Sequence, residues 1–265
     1  MRIVAKVGGA QIEEAHGRDD LARSVASARE AGHEIVLVHG GGNQIRGLTK
    51  RLQITDRYHD GLRITDPETA EVVLMVLAGL VNKQVVWALE QAGVTACGVS
   101  GADGSTFLAR PMLAKGVDLG YVGEVLSTSR ALVETLLTRG FVPVVATVAP
   151  LDPAATGNRE HFYNLNADLC AGPLAQAFRA EAMLFLTDVP GVLDADKRLI
   201  GSLTAVDCAE LRSRGVIHGG MIPKVDAAVH AAEKNPAAIV KIAPAKGRDA
   251  IREALADTVG TRFHC

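Results

Sequence analysis

The sequence predicts an α/β protein, an open αβα sandwich built on a mainly parallel central sheet. Three observations predict it. Short, continuously apolar runs such as residues 34–38 and 182–187 read as strands buried on both faces. Helical stretches alternate with these runs along the chain, the pattern of a parallel sheet covered on both sides. Glycines close several of the runs, where such a sheet hands the chain to helix N-termini.

Taken in order, residues 2–6 form the first strand. Residues 19–31 follow as an amphipathic helix with Leu21, Val25 and Ala28 on one side and Gly32 as its C-terminal stop. Residues 34–38 are the second strand, and Gly40-Gly41-Gly42 leads into helical sequence from Asn43. Residues 69–92 are strongly helical and end before Gly93. Residues 96–99 form a strand that closes at Ser100-Gly101. Alternation at residues 108–110 and 121–125 predicts an antiparallel ribbon. A strand at 142–148, a helix at 166–178 and a strand at 182–187 come next. Helices at 207–214 and 224–234 and a strand at 238–243 complete the chain. There is no internal repeat and no low-complexity linker. Composition marks a boundary only faintly, near Gly172-Pro173, which divides the chain into lobes at 1–172 and 173–265.

A chain of 265 residues with 48 % hydrophobic residues has ample material for a sizeable core. The formal net charge of −2 gives no electrostatic reason to expect nucleic acid or an anionic membrane as partner. Cys97, Cys170, Cys208 and Cys265 are scattered without a CxxC or metal-like spacing and read as reduced thiols. The histidines form no spaced cluster, so no protein-held metal is expected. The chain runs from Met1 straight into a strand, and no apolar stretch reads as long enough to span a bilayer. The expectation is a cytoplasmic enzyme with small-molecule partners, no nucleic acid and no membrane.

The candidate chemistry lies at the strand ends. In Lys6-Val7-Gly8-Gly9 and His39-Gly40-Gly41-Gly42, the absence of Cβ atoms lets the backbone approach phosphate oxygens and donate N–H groups to them. Two tight turns would also explain these strings; a triple glycine at one strand end, with Lys6 at another, favours the anion site. No stretch has the P-loop form of glycine, four residues, then Gly-Lys-Ser/Thr. Phosphate would therefore be held by glycine turns and separate lysines. Gly219-Gly220-Met221-Ile222-Pro223-Lys224 is a third such segment. Pro223 suits the first turn of a helix, which puts Lys224 near that helix's positive end, where only a nearby anion would favour it.

Asn164, Asn166 and Asp168 precede an apolar helix. Asn166 as N-cap and Asp168 as a first-turn charge give a complete structural account; the alternative is that Asp168 holds two lysines in register while the asparagines bind a polar ligand. Asp188 and Gly191 lie in a strand-ending Asp-Val-Pro-Gly turn that would either face a nucleotide or only turn the chain. Arg63 offers a planar fork that matches a carboxylate, against the plain reading of a surface arginine. His39 reads as packing or bonding locally. No G-x-S-x-G, H-E-x-x-H or G-x-G-x-x-G pattern argues for a hydrolase, zinc protease or dinucleotide enzyme.

Together, in order and over nearly the whole chain, these segments resemble the amino acid kinase family, and within it the acetylglutamate kinases. The strings that carry the resemblance are residues 6–9, 39–42, 61–66, Val76-Leu77-Ala78-Gly79 with Val81-Asn82-Lys83, Ser100-Gly101 with Asp103-Gly104, and 119–124. It continues through residues 163–168, 186–193, 219–224 and Gly260-Thr261. The resemblance implies the amino acid kinase fold and transfer of phosphate from ATP with Mg²⁺ to the γ-carboxylate of N-acetyl-L-glutamate, in arginine synthesis. It implies that Lys6 and Lys224 stabilise the transferring group, with Asp168 orienting both. Gly41, Gly42, Arg63, Asn164 and Asn166 would hold the acid, Arg63 through its α-carboxylate. Gly8, Gly9, Asp188, Gly191, Gly220 and Met221 would face the nucleotide. The first lobe would bind the acid and dimerise, and the second would bind ATP.

Leu80 stands where the family often has lysine, and residues 152–160 and 243–245 are atypical. A related kinase of lysine synthesis, acting on a carrier-bound or acetylated aminoadipate, is the runner-up; its loop usually lacks the Gly-Gly-Met-Ile-Pro-Lys form. A non-catalytic nucleotide or anion binder on the same fold is the other alternative. Hexameric, arginine-inhibited members carry a further helix before the first strand, so the expectation is a homodimer with weak or no arginine inhibition.

Overall fold

The computed structural model describes residues 1–114 and 116–265. Its centre is an eight-stranded sheet. In chain order the elements that build its first half are β1 (Arg2–Val7), the short α1 (Ala10–Glu13), α2 (Ala15–Glu30), β2 (Glu34–His39) and α3 (Gly42–Arg51). A two-stranded hairpin follows, β3 (Arg57–His59) and β4 (Leu62–Ile64). Next come α4 (Pro67–Leu74), a π-helical segment (Met75–Val81) and α5 (Asn82–Gln91), which form one continuous helix. Then come β5 (Ala96–Ser100), β6 (Phe107–Pro111), β7 (Val122–Thr128), α6 (Ala131–Thr138), β8 (Val142–Ala146), β9 (Val148–Ala149) and β10 (Tyr163–Leu165). The remainder is α7 (Ala167–Phe178), β11 (Ala182–Thr187), β12 (Ser202–Thr204), α8 (Ala205–Ser213), α9 (Met221–Lys234), β13 (Ile239–Pro244), α10 (Ala250–Ala254) and β14 (Thr261–His264).

The central sheet has the order β12-β14-β13-β11-β1-β2-β8-β5. The six strands from β13 to β5 are mutually parallel, and β14 runs against β13. Period-two alternation feeds a core on each face. Ile3, Ala5, Ile35 and Leu37 pack into one core, and Val4, Val36 and Val38 into the other. This is why the strands are apolar throughout. Lys6 occupies the same face as Val4, level with Val38 of β2 and Phe185 of β11.

The predicted ribbon exists: β6 and β7 pair antiparallel within a second, four-stranded sheet of order β6-β7-β10-β9. The single strand expected at 142–148 is two. It breaks at Thr147, whose hydroxyl donates to the His39 carbonyl at 3.2 Å and whose own carbonyl accepts from Leu165 N–H, so β9 leaves for the second sheet. Gly172 and Pro173 lie inside α7 rather than in a connection. Helix α9 begins at Met221, three residues before the expected start, with Pro223 in its first turn. The hairpin, α6, β12, α10 and β14 were not expected.

The helix Pro67–Gln91 corrects one reading. It is 25 residues long and apolar enough, by length and composition, to cross a bilayer, and half of its apolar window is buried inside the protein. One face, through Val73, Val76, Leu77 and Val81, packs into a sheet core. The opposite face leaves Met75, Leu80 and Trp87 exposed.

Candidate active site

Three charged side chains meet where the C-terminal end of β1 faces α7 and α9. Lys6 Nζ lies 2.8 Å from Asp168 Oδ1, and Lys224 Nζ lies 3.5 Å from Asp168 Oδ2. Each is delivered by a local rule. Lys6 is the penultimate residue of β1. Asn166 caps α7, its side-chain oxygen accepting from the N–H groups of Asp168 (2.9 Å) and Leu169 (3.4 Å), and this sets Asp168 in the first turn. Lys224 sits one residue after Pro223 in the opening turn of α9. The structure combines a part of each reading of residues 163–168: Asn166 caps the helix, and Asp168 bridges two lysines.

Burial and charge oppose each other here. Burial alone would push the Asp168 carboxyl up, yet Lys6 and Lys224 together hold it below the ordinary carboxylate range. Burial pushes the Lys6 ammonium down from its usual value, Asp168 pulls it back up, and Lys224 lowers it further. One carboxylate faces two ammonium groups, so the cluster carries an excess positive charge that an anion would neutralise.

Beside it is a cavity of about 280 Å³, lined among others by Lys6, Gly8, Gly9, Gly41, Gly42, Arg63, Asn164, Asn166 and Asp168. Helices α3 and α7 open at its wall, so their N-terminal amides and dipoles favour an anion within it. Gly9 has φ 58° and ψ −134°, a conformation that only glycine adopts readily. Gly41 needs to be glycine for a different reason: a Cβ there would lie 2.8 Å from Leu77 and 3.1 Å from Val81.

Arg63 is buried, not a surface arginine. It pairs with Asp56, donates to the Gly42 carbonyl at 3.2 Å, and lies 4.9 Å from the centre of the Tyr58 ring. These two hydrogen bonds use two of its five N–H donors, and Arg63 lines the cavity. Asn164 donates to the Thr65 hydroxyl at 3.3 Å. Asp56 and Tyr58 are parts of the site that the sequence reading missed. Asp56 immediately precedes β3 and Tyr58 lies within it, paired with Arg63, so only the hairpin's fold brings them together.

The other residues expected to face a nucleotide lie outside this cavity: Asp188, Gly191, Gly220 and Met221 do not line it, and neither does Lys224. Asp188 accepts from the Thr187 hydroxyl at 3.0 Å. Gly191 has a packing role, since a Cβ there would meet Thr261 Oγ1 at 2.7 Å and Leu199 at 2.6 Å. Gly220 has open space at its Cβ position and precedes Met221, the first residue of α9.

The sequence pattern of the amino acid kinase family matches residues 1–241. The chain is 41 % identical over 248 residues to the acetylglutamate kinase of Methylobacterium nodulans, covering 90 % of this chain and 80 % of that one. It is 42 % identical over 240 residues to the acetylglutamate kinase of Rhizorhabdus wittichii, covering 87 % and 78 %. Among solved structures, smu.665 from Streptococcus mutans UA159 superposes with a TM-score of 0.81 at 27 % identity, covering 99 % of this chain and 98 % of that one.

The pH dependence of stability should report the Asp168 bridge. The folded carboxyl lies below its unfolded value, so its contribution is complete above about pH 4 and is lost as pH falls through the folded value. Asp168→Asn should cost about 3 kcal/mol at neutral pH, because it leaves buried ammonium charge unpaired. Urea unfolding from pH 7 to 3 should show that difference constant down to about pH 5 and shrinking below about pH 4. A difference independent of pH would remove the charge from the explanation.

Proposed function

The chain belongs to the amino acid kinase family, and we propose that it phosphorylates the γ-carboxylate of N-acetyl-L-glutamate with ATP, yielding N-acetyl-L-glutamyl 5-phosphate for arginine biosynthesis. The observation that carries the reading is the pair of lysines on one carboxylate, next to a glycine-walled cavity that holds a buried arginine.

A carboxylate is ionised at neutral pH, so this reaction needs no general base. Its difficulty is the approach of one anion to another. In the proposed mechanism a γ-carboxylate oxygen attacks the γ-phosphorus in line; the bond to the β,γ-bridging oxygen breaks, and ADP leaves with that electron pair. Lys6 and Lys224 offset the charge spreading over the transferring oxygens, with Asp168 aiming both. Gly8 and Gly9 offer amides on the phosphate side. Arg63 grips the α-carboxylate, while Gly41, Gly42, Asn164 and Asn166 hold the rest of the acid and fix the attack distance. Asp188, Gly191, Gly220 and Met221 belong to the nucleotide side, in the lobe of residues 173–265. Mg²⁺ enters with ATP as part of the substrate. Among the described residues no three His, Cys, Asp or Glu side chains group to hold a metal, so phosphates and water would be its ligands. The reading puts the enzyme in the cytoplasm.

A homodimer forms part of the proposal. The face of helix Pro67–Gln91 that bears Met75, Leu80 and Trp87 is apolar and exposed, and Trp87 is 63 % exposed. A second copy of the same face would cover it.

A hydroxylamine trap for acyl phosphate tests the activity, with N-acetyl-L-glutamate, N-acetyl-L-aminoadipate and carbamate as acids. Hydroxamate should form with the first; none with any acid would sink the enzyme reading, and a preference for the second would move it to the lysine-type kinase. Lys224→Ala should lower kcat by roughly two orders of magnitude or more, the size expected for lost charge stabilisation. Arg63→Ala should chiefly raise KM for the acid, and an effect confined to ATP would move Arg63 to the other site. Light scattering should give twice the 27.8 kDa of one chain. Met75→Glu should halve that mass and red-shift the fluorescence of Trp87, the sole tryptophan; a wild-type monomer or hexamer would contradict the dimer.

A further inference from the structure

His39 is fully buried at the end of β2, immediately before the glycine turn, and the mechanism above leaves it without a task. Its ring has two neighbours. Nδ1 lies 2.9 Å from the Gly40 carbonyl oxygen, and Nε2 lies 3.1 Å from Asn82 Nδ2. Asn82 is itself fully buried, at the point where the π-helical segment gives way to α5.

The orientation of the Asn82 amide follows from its other contacts. Lys83 Nζ donates to Asn82 Oδ1 at 2.9 Å, and Asn82 Nδ2 donates to the Val144 carbonyl at 2.9 Å. An ammonium must meet the amide oxygen, and a backbone carbonyl must meet the amide nitrogen. The group facing His39 Nε2 is therefore a donor, so Nε2 presents its lone pair. The proton then sits on Nδ1, where the Gly40 carbonyl accepts it. Both neighbours require the same neutral tautomer. Burial favours it too, pushing the imidazole down to about 4, with the Gly40 contact opposing and the Lys83 charge adding to the decrease.

The consequence reaches the cavity through one peptide unit. In a trans peptide the C=O and the following N–H point in opposite directions. Drawing the Gly40 oxygen toward the buried ring turns the Gly41 N–H the other way, and among the described residues that N–H donates to no backbone carbonyl of the turns and caps. Gly40 and Gly41 both line the cavity. Leu77 of the π segment, which also lines the cavity, packs beside Gly41, close enough that a Cβ on Gly41 would lie 2.8 Å from it.

We propose that His39 is a positioning residue for the acid site: its Nδ1–H, held in that tautomer by the Lys83–Asn82 contact, fixes the Gly40–Gly41 peptide so that the Gly41 N–H meets the bound acid. This rests on the reading that Gly41 and Gly42 contact the acid.

Two substitutions separate the two ring nitrogens. His39→Asn keeps an N–H close to the Nδ1 position and loses the Nε2 acceptor; His39→Gln reaches the Nε2 position and loses the donor to Gly40. His39→Asn should leave KM for N-acetyl-L-glutamate within about threefold of wild type, while His39→Gln should raise it roughly tenfold, the size of one lost hydrogen bond. KM for ATP and kcat should change little in either. Urea unfolding of both variants confirms that folded protein is compared. Equal KM values for the two variants, or a loss of stability with KM unchanged in both, would reduce His39 to a packing role and overturn the proposal. Long-range ¹⁵N–¹H NMR of the wild type should find the proton on Nδ1, and a proton on Nε2 would overturn it independently of any assay. If the wild type forms no acyl phosphate, the activity reading fails, and the tautomer together with the acid affinities of the two variants by calorimetry still decides this proposal.

Discussion

The site depends on one buried carboxylate shared by two ammonium groups. Lys6 and Lys224 would repel each other, and burying either alone would be costly. Asp168 makes their approach tolerable, and the fold is arranged to put it there. The parallel register sets Lys6 between Val38 and Phe185. The Asn166 cap fixes the first turn of α7, and Gly172 of that helix faces Ala231 of α9. One negative charge against two positive ones leaves the cluster short of an anion. In the proposed function, the same imbalance that costs folding energy would favour a phosphoryl group, because that ligand would complete the charge pairing.

The glycines around the cavity work in two ways. Gly41 and Gly191 are needed because neighbouring side chains occupy the space a Cβ would take. Gly9 is needed for its backbone conformation, and Gly42 has open space beside it. A string of glycines therefore holds separate instructions, some for packing and some for backbone conformation. The long helix Pro67–Gln91 links them to the surface, since its inner face presses Leu77 and Val81 on Gly41 while its outer face exposes Trp87.

Much of this was legible in the sequence because it is local. Continuous apolar runs identified β1, β2 and β11, and the Asn166 cap follows from side-chain chemistry within three residues. Lys6, Asp168 and Lys224 stood out as charges at strand ends and helix starts, although only the family order of the segments suggested that they meet. What stayed hidden depends on contacts distant in sequence. Arg63 reads equally as a carboxylate fork or a surface residue in sequence, and its burial appears only when the hairpin folds Asp56 and Tyr58 against it. Thr147 breaks a predicted strand through a bond to the His39 carbonyl, 108 residues away. Gly191 was read for its place in a strand-ending turn, and its closeness to Thr261, 70 residues on, could not be seen there. The apolar length of Pro67–Gln91 was missed because glycine and polar residues punctuate it.

The central claim is that Asp168 acts through the lysines, and a double-mutant cycle on kcat tests it most directly. Asp168→Asn and Lys224→Met are measured singly and together, with Lys6 intact. If Asp168 serves to aim Lys224, its substitution should cost much less once Lys224 is gone, giving a coupling of at least about 1 kcal/mol. Strictly additive losses would contradict the account, and would mean that the two residues contribute to turnover independently.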